Sequence, residues 1–206
     1  MATISSETDL RAVIGVPNDL VAAKVIDRLT PVTRRFVELS PFVCVATSRP
    51  DGGLDISPRG DPAGFVRILD DRTLLIPERP GNRLADTLTN LLADSRIGLL
   101  FLIPGVGDTF RVNGRATVVD DPELLAASTV GDRAPKLGLL IAVDEAFAHC
   151  PKAIIRSDLW DPERHVDRSE LPTWGAILRD TADAGLDAEA YDSERNGRYA
   201  RREGLY

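Results

Sequence analysis

Phe42-Val43-Cys44-Val45-Ala46-Thr47-Ser48-Arg49-Pro50-Asp51-Gly52-Gly53-Leu54-Asp55-Ile56-Ser57-Pro58 decides the fold class. Its first half is rich in β-branched and aromatic residues, which fit a pleated, half-buried surface. Pro50-Asp51-Gly52-Gly53 is a hairpin signal, because its glycines supply the positive φ that a tight turn needs. The chain then returns through Leu54–Pro58. The same grammar repeats downstream. Gly64–Leu69 and Thr73–Pro77 read as a hairpin across Asp70-Asp71. Ile97–Ile103 and Thr109–Asp120 read as strands joined by Pro104-Gly105-Val106-Gly107-Asp108, and Leu137–Val143 as a last apolar strand. Roughly six or seven short strands with tight turns predict a barrel rather than a parallel sheet.

The helices are too few for repeated βαβ units. Leu10–Val16 is a short element in an N-terminal arm. Asn18 can cap a helix over Asp19–Arg28, with Leu20, Val25 and Leu29 as its buried stripe. Pro31 suits the first turn of a helix over Val32–Leu39, with Val32, Phe36 and Leu39 apolar. Pro80-Gly81-Asn82 opens a helix over Arg83–Ala93, and Pro122 one over Glu123–Ser128. A short helical stretch follows at Pro151–Ser157. The expected organisation is an arm and helix over 1–30, a barrel over 31–160 and a C-terminal appendage over 161–206 packed on it. The appendage carries helical patterning at Thr173–Ala184 and frays at Arg195–Tyr206.

The chain has 206 residues, 43% of them hydrophobic and 28% charged, enough to bury a core. Its net charge of −7 argues against general nucleic-acid binding. The apolar run Ile97–Ile103 is far too short to span a bilayer, and residues 1–10 lack a basic-then-apolar leader, so no membrane association is expected. Cys44 and Cys150 lie in unrelated segments, which argues against a disulfide framework and makes a cytoplasmic setting the simplest expectation. With His149 and His165 they are too scattered for a metal site.

Four segments concentrate arginine, glycine and proline at strand ends. In Ser57-Pro58-Arg59-Gly60-Asp61, proline and glycine fix the backbone, so Arg59 is held by its neighbours; the alternative is a plain turn with a solvated arginine. In Ile76-Pro77-Glu78-Arg79-Pro80-Gly81-Asn82-Arg83, a strand ends and a helix begins. A helix N-terminus gathers unpaired N–H groups, and Arg79 and Arg83 add two guanidinium forks, a combination that suits phosphate. Asn90, seven residues past Arg83, would share its helix face. The alternative is a capped helix whose arginines pair with Glu78 and Asp86. In Thr109–Ala116, alternation puts Phe110, Val112 and Gly114 on one face and Arg111, Asn113 and Arg115 on the other. That polar face lines a groove or is simply solvated. In His149–Trp160, Lys152 and Arg156 share a helix face, where like charges repel unless an anion lies between them.

Taken together and in this order, the four segments resemble the FMN-binding proteins related to pyridoxamine 5′-phosphate oxidase, over about residues 20–165. The resemblance implies a mainly β split barrel of Greek-key type with flanking helices, and a homodimer with FMN in a groove between subunits. It implies that Arg59 and the segment Pro77, Arg79, Asn82 and Arg83 hold the phosphate. Backbone near Ser57, Pro58 and Gly60 would approach the ring. Asn90 and Arg111 would border the groove, and Lys152, Arg156, Ser157 and Trp160 would come from the other subunit. The implied activity is an FMN-dependent oxidoreductase acting on a small molecule. Alternatives are a non-catalytic flavin-storage protein, or a relative that binds deazaflavin or haem. The Arg-x-x-Leu-Leu-Lys-type flavin signature of the true oxidases is missing, and Arg195–Arg202 does not match their C-terminal substrate stretch, so vitamin B6 oxidation is not expected.

Overall fold

The computed structural model describes residues 3–206. Seven strands form one antiparallel sheet: β1 (Phe42–Ser48), β2 (Leu54–Gly60), β3 (Arg67–Ile68), β4 (Thr73–Pro77), β5 (Arg96–Leu102), β6 (Thr109–Val119) and β7 (Gly138–His149). Their order is β2-β1-β5-β6-β7-β4-β3. Around them lie α1 (Glu7–Ile14), α2 (Asp19–Ala23), α3 (Arg34–Leu39), α4 (Asp86–Ala93), α5 (Pro122–Ala126), α6 (Lys152–Ser157), α7 (Trp174–Thr181) and α8 (Ala188–Ala200).

The sheet curls around one core. Alternate residues of five strands meet there: Val43 and Val45, Leu74 and Ile76, Leu99 and Phe101, Phe110 and Val112, Leu139 and Ile141. Side chains two apart in a strand share a face, so this row is what the hairpin grammar builds. Helix α3 closes the core with buried Val37 and with Phe36, whose ring stacks on Phe110 at 5.3 Å.

A bulge re-aims the last strand. Asn113 pairs with Glu145 but Gly114 pairs with Val143, which leaves Asp144 unmatched. The inward parity therefore passes from Val143 to Ala146, and Glu145 and Phe147 turn outward. Gly114 is required at this point, because a Cβ there would lie 2.0 Å from the Ala142 carbonyl oxygen.

Several expectations need correction. The helix capped by Asn18 ends at Ala23, not Arg28, because Ile26 is drawn into a bridge with Ala146. Only Leu29 of its supposed stripe is buried; Leu20 and Val25 are exposed. Val32 and Leu39 are exposed too. The last strand runs six residues beyond Val143, to His149. The tail is not frayed after Arg195: α8 continues to Ala200, and Tyr206 returns to the barrel. Its helices α7 and α8 cross closely at Gly175, where a Cβ would meet the Ala188 carbonyl oxygen at 2.4 Å. No helix among the described residues is long and apolar enough to cross a membrane.

Candidate functional site

The β4–β7 ladder ends at the pair Pro77–Gly138. One more backbone bond, from Glu78 N–H to the Leu137 carbonyl at 2.9 Å, holds the two segments together before they part. Pro80 has no N–H with which to extend the pairing. Beyond this fork lies a cavity of about 690 Å³, within the usual range for small-molecule sites. Residues 78–80 and 83 form one wall, residues 132–137 the other, and Tyr206 closes one side.

Sequence reasoning placed Arg83 in the first turn of a helix. It lies outside: Arg83 (φ 66°) and Ala85 (φ 58°) are both left-handed, and α4 starts only at Asp86. A left-handed residue breaks the helical hydrogen-bond run, and for a side chain larger than glycine it carries strain. Asn82 supports the bend by accepting the Leu84 N–H at 3.1 Å. Arg83 and Asn90 therefore do not share a helix face. The side chain of Arg83 makes no ion pair among the described residues and faces the cavity.

Arg79 is committed elsewhere. It donates to Asp61 at 2.7 Å and to the Ser128 carbonyl at 2.9 Å, with Asp61 2% exposed and Arg79 16%. Neither Glu78 nor Asp86 is its partner. Tyr206 donates to the other oxygen of Asp61 at 2.6 Å, and its ring lies 5.3 Å from the Arg79 guanidinium. The Arg133 side chain donates to the Tyr206 carbonyl.

Arg59 faces inward from β2, opposite Val43. Its guanidinium stands 3.5 Å from the Glu78 carboxylate, yet Arg59 Nε and Glu78 Oε2 are both buried without a hydrogen-bond partner. Burial pushes the Glu78 carboxyl above the ordinary glutamate value, and the charge of Arg59 opposes the shift. Beside this pair runs a polar chain. Ser57 and Thr87 share a hydrogen bond at 2.9 Å, Thr87 donates to Asp55 at 3.3 Å, and Asn90 donates to Thr47 at 3.0 Å. Asn90 is thus a buried tie between α4 and β1.

The opposite face of the sheet carries the remaining strand residues. Pro58 pairs with Cys44, Cys44 with Leu100, and Leu100 with Arg111, so all four share one row. Around that row Leu54 is 78% exposed and Ile56 70%, while Ala46 and Leu102 are half-buried. Arg111 pairs with Glu145 at 3.0 Å and lies 4.2 Å from the Phe147 ring, with its Nε unpartnered. Lys24 covers the same ring at 5.1 Å. Burial, then the charges of Arg111 and Lys24, lower the pKa of the neighbouring His149 imidazole.

Lys152, Arg156 and Ser157 are exposed on α6, and Trp160 donates to the Val106 carbonyl at 2.9 Å. Among the described residues, no side-chain hydrogen bond or ion pair joins this group to Arg59 or to residues 77–83. One chain thus gathers Arg59, Pro77, Arg79, Asn82 and Arg83 at the fork. It leaves Pro58 and Arg111 on the outer face and the α6 group apart. Glu78, Lys136 and Tyr206 were not singled out as site residues. Nothing local marks them, since they meet only through the β4–β7 fork and the returning tail.

No curated protein matches the sequence. Among solved structures, similarity extends to HupZ of Group A Streptococcus (20% identity, 58% of this chain and 93% of that one, TM-score 0.48). It extends also to a putative pyridoxamine 5′-phosphate oxidase from Lactobacillus delbrueckii (22% identity, 59% and 95%, TM-score 0.47). A conserved hypothetical protein of Mycobacterium tuberculosis is 16% identical over 72% of this chain and 98% of that one, with TM-score 0.45. The family model described as pyridoxamine 5′-phosphate oxidase matches residues 29–150, which is more than half of the chain and runs from the start of the barrel through the whole of β7. The chain belongs to the pyridoxamine 5′-phosphate oxidase family.

Proposed function

We propose that the protein is an FMN-binding flavoprotein that works as a homodimer in the cytoplasm, and that it is an oxidoreductase acting on a small molecule. The observation that carries this reading is an apolar sheet face left open on β1, β2 and β5. An antiparallel sheet normally buries one face and wets the other. Here β1 and β5 are apolar on both sides, and β2 presents Leu54, Ile56 and Pro58 to solvent. Covering that face with a second copy of the chain supplies the dry slot a flavin ring needs. It also gives Lys152, Arg156, Ser157 and Trp160 a route to the partner's groove.

The residues at the fork fit a phosphate-bearing cofactor. Arg83 makes no ion pair among the described residues and lines the cavity. The unpartnered Arg59 Nε is a buried donor that a ligand can satisfy. Asn82 and Arg83 would hold the phosphate, and Arg79, locked by Asp61, would brace the loop that carries them. The backbone of Ser57–Gly60 would border the ring, with Arg111, held by Glu145, at the margin of the open face. When bound, FMN supplies the two-electron chemistry, and the protein contributes position, dryness and charge.

The test is the absorption spectrum of freshly purified protein, with mass identification of the released ligand. A flavin spectrum and an FMN mass are expected; a colourless protein that takes up no FMN defeats the reading. Arg83→Ala should weaken FMN by about ten-fold or more and leave riboflavin nearly unchanged, because only FMN carries the phosphate. Equal losses for both ligands place the phosphate elsewhere.

A further inference from the structure

We infer that Tyr206 is a latch: residues 203–206 form a strap along one side of the fork cavity, and the strap lifts for a ligand to enter or leave. This rests on the flavin reading only in naming FMN as the ligand that passes; the strap itself stands on the following geometry.

The appendage is tied to the rest of the protein at one point. Among the described residues, two hydrogen bonds join residues 165–206 to residues 3–160, and both belong to Tyr206. Helices α7 and α8 bond to each other instead, through the Gly175 N–H and the Asp192 carboxylate at 2.8 Å. After α8 the chain turns back at two left-handed residues, Arg202 (φ 56°) and Gly204 (φ 75°). Past that turn the N–H groups of Leu205 and Tyr206 make no backbone hydrogen bond among the described residues. A segment whose backbone is unpaired opens at far lower cost than a sheet strand. What holds it down is the Tyr206 side chain on Asp61 and Arg79, and its carbonyl under Arg133.

The latch can be released without undoing the barrel. Asp61 keeps Arg79 at 2.7 Å, Arg79 keeps the Ser128 carbonyl at 2.9 Å, and Arg133 keeps its backbone bridge to Val130. Nor is Tyr206 packed as a core residue is. It borders the fork cavity of about 690 Å³ and also a second hollow of about 500 Å³ between residues 130–133 and 201–204. Asp132 and Arg133 border both hollows with it, so lifting the strap joins the two into one groove. The fork cavity has its volume with the strap down, and a ligand is therefore held under a closed latch. A gate that closes equally over an empty and a filled cavity slows entry and exit by the same factor and leaves affinity unchanged.

The experiment has two arms, both on the full chain. In the first, stopped-flow fluorescence follows FMN binding to, and release from, the parent, Tyr206→Ala and Arg133→Gln. Tyr206→Ala should raise the association and dissociation rates together by about ten-fold, the size of one lost hydrogen bond to a charged group, with Kd nearly unchanged. Arg133→Gln should move both rates the same way by about three-fold; Arg133 is exposed, so this variant decides the matter if Tyr206→Ala does not fold. The second arm needs no flavin. Leu137 is half-buried and lines the cavity, and Cys150 is exposed. In a Leu137→Cys, Cys150→Ser chain, a methanethiosulfonate reagent should label position 137 about ten-fold faster once Tyr206→Ala is added. Unchanged labelling overturns the inference. So does a faster release with entry unchanged, because Tyr206 is then a wall of the binding site and not its gate. A protein that takes no FMN yet shows latch-dependent labelling keeps the latch and loses the flavin reading. One that binds FMN at rates indifferent to Tyr206, with labelling still gated, keeps the latch and places FMN outside this cavity.

Discussion

Glu78 is the side chain whose environment is least comfortable. Its carboxyl is mostly buried, one oxygen has no hydrogen-bond partner, and the nearest guanidinium stands at 3.5 Å rather than in contact. Burial is the larger influence and raises its pKa; Arg59 pulls the other way. A carboxyl whose pKa is higher folded than unfolded binds protons better in the folded chain. Its contribution to stability is therefore fully present below the unfolded pKa and is lost as pH rises through the folded value. Glu78→Gln removes that titration and keeps the shape. In urea unfolding across a pH series, the variant should match the parent in acid and become the more stable of the two as pH climbs past the ordinary glutamate range. A parent that stays the more stable at neutral pH means that the attraction of Arg59 outweighs burial. The same residue illustrates how a site hides in sequence. The acid at position 78 was legible only as a possible partner for Arg79, because the real partner of Arg79 is Asp61, eighteen residues earlier and just past the end of β2.

At the scale of elements, the strands were legible and the exceptions to their rules were not. Alternation and turn residues located β1, β2, β4, β5 and β6 to within a residue or two. They missed the last part of β7, because the Asp144-Glu145 pair breaks the alternation and only the bulge against Gly114 explains why the strand continues. The start of α4 was misread for a related reason. Left-handed conformations are expected at glycine, and the residues that adopt them here are an arginine and an alanine. Ala85 occupies the N-cap position of α4 and offers no side-chain oxygen to the helix. Glycine tolerates this backbone without the Cβ clash, although it loses more entropy on folding. Ala85→Gly should accordingly raise stability by about 0.5–1 kcal/mol, read from the urea midpoint. If the strain serves to aim Arg83, the same variant should bind FMN more weakly. A variant both more stable and equally tight shows that the strain has no part in binding.

At the scale of the molecule, the question is what covers β1, β2 and β5. The inner face of the sheet is complete within one chain: its core residues from five strands pack into one cluster. The outer face is not. Leu54 and Ile56 stand on an edge strand whose unpaired side is a template for association unless something blocks it. Burying such side chains is worth about 1.5–3 kcal/mol each, so a two-fold contact that repeats them in both copies is a strong one. The cations on α6 are remote from the fork within a chain, and a two-fold pairing is the arrangement that can deliver them to a neighbour's groove. Ile56→Asp tests both ideas together. Ile56 is 70% exposed and lies outside the core cluster, so the single chain should fold with little change in its own stability. Light scattering after gel filtration should then give the mass of one chain for the variant and of two for the parent. Bound flavin should fall in parallel, because the groove has lost one of its sides. A variant that remains dimeric places the interface on another surface. One that becomes monomeric yet keeps its flavin shows that the site is complete within a single chain, and the α6 cations then need a different explanation.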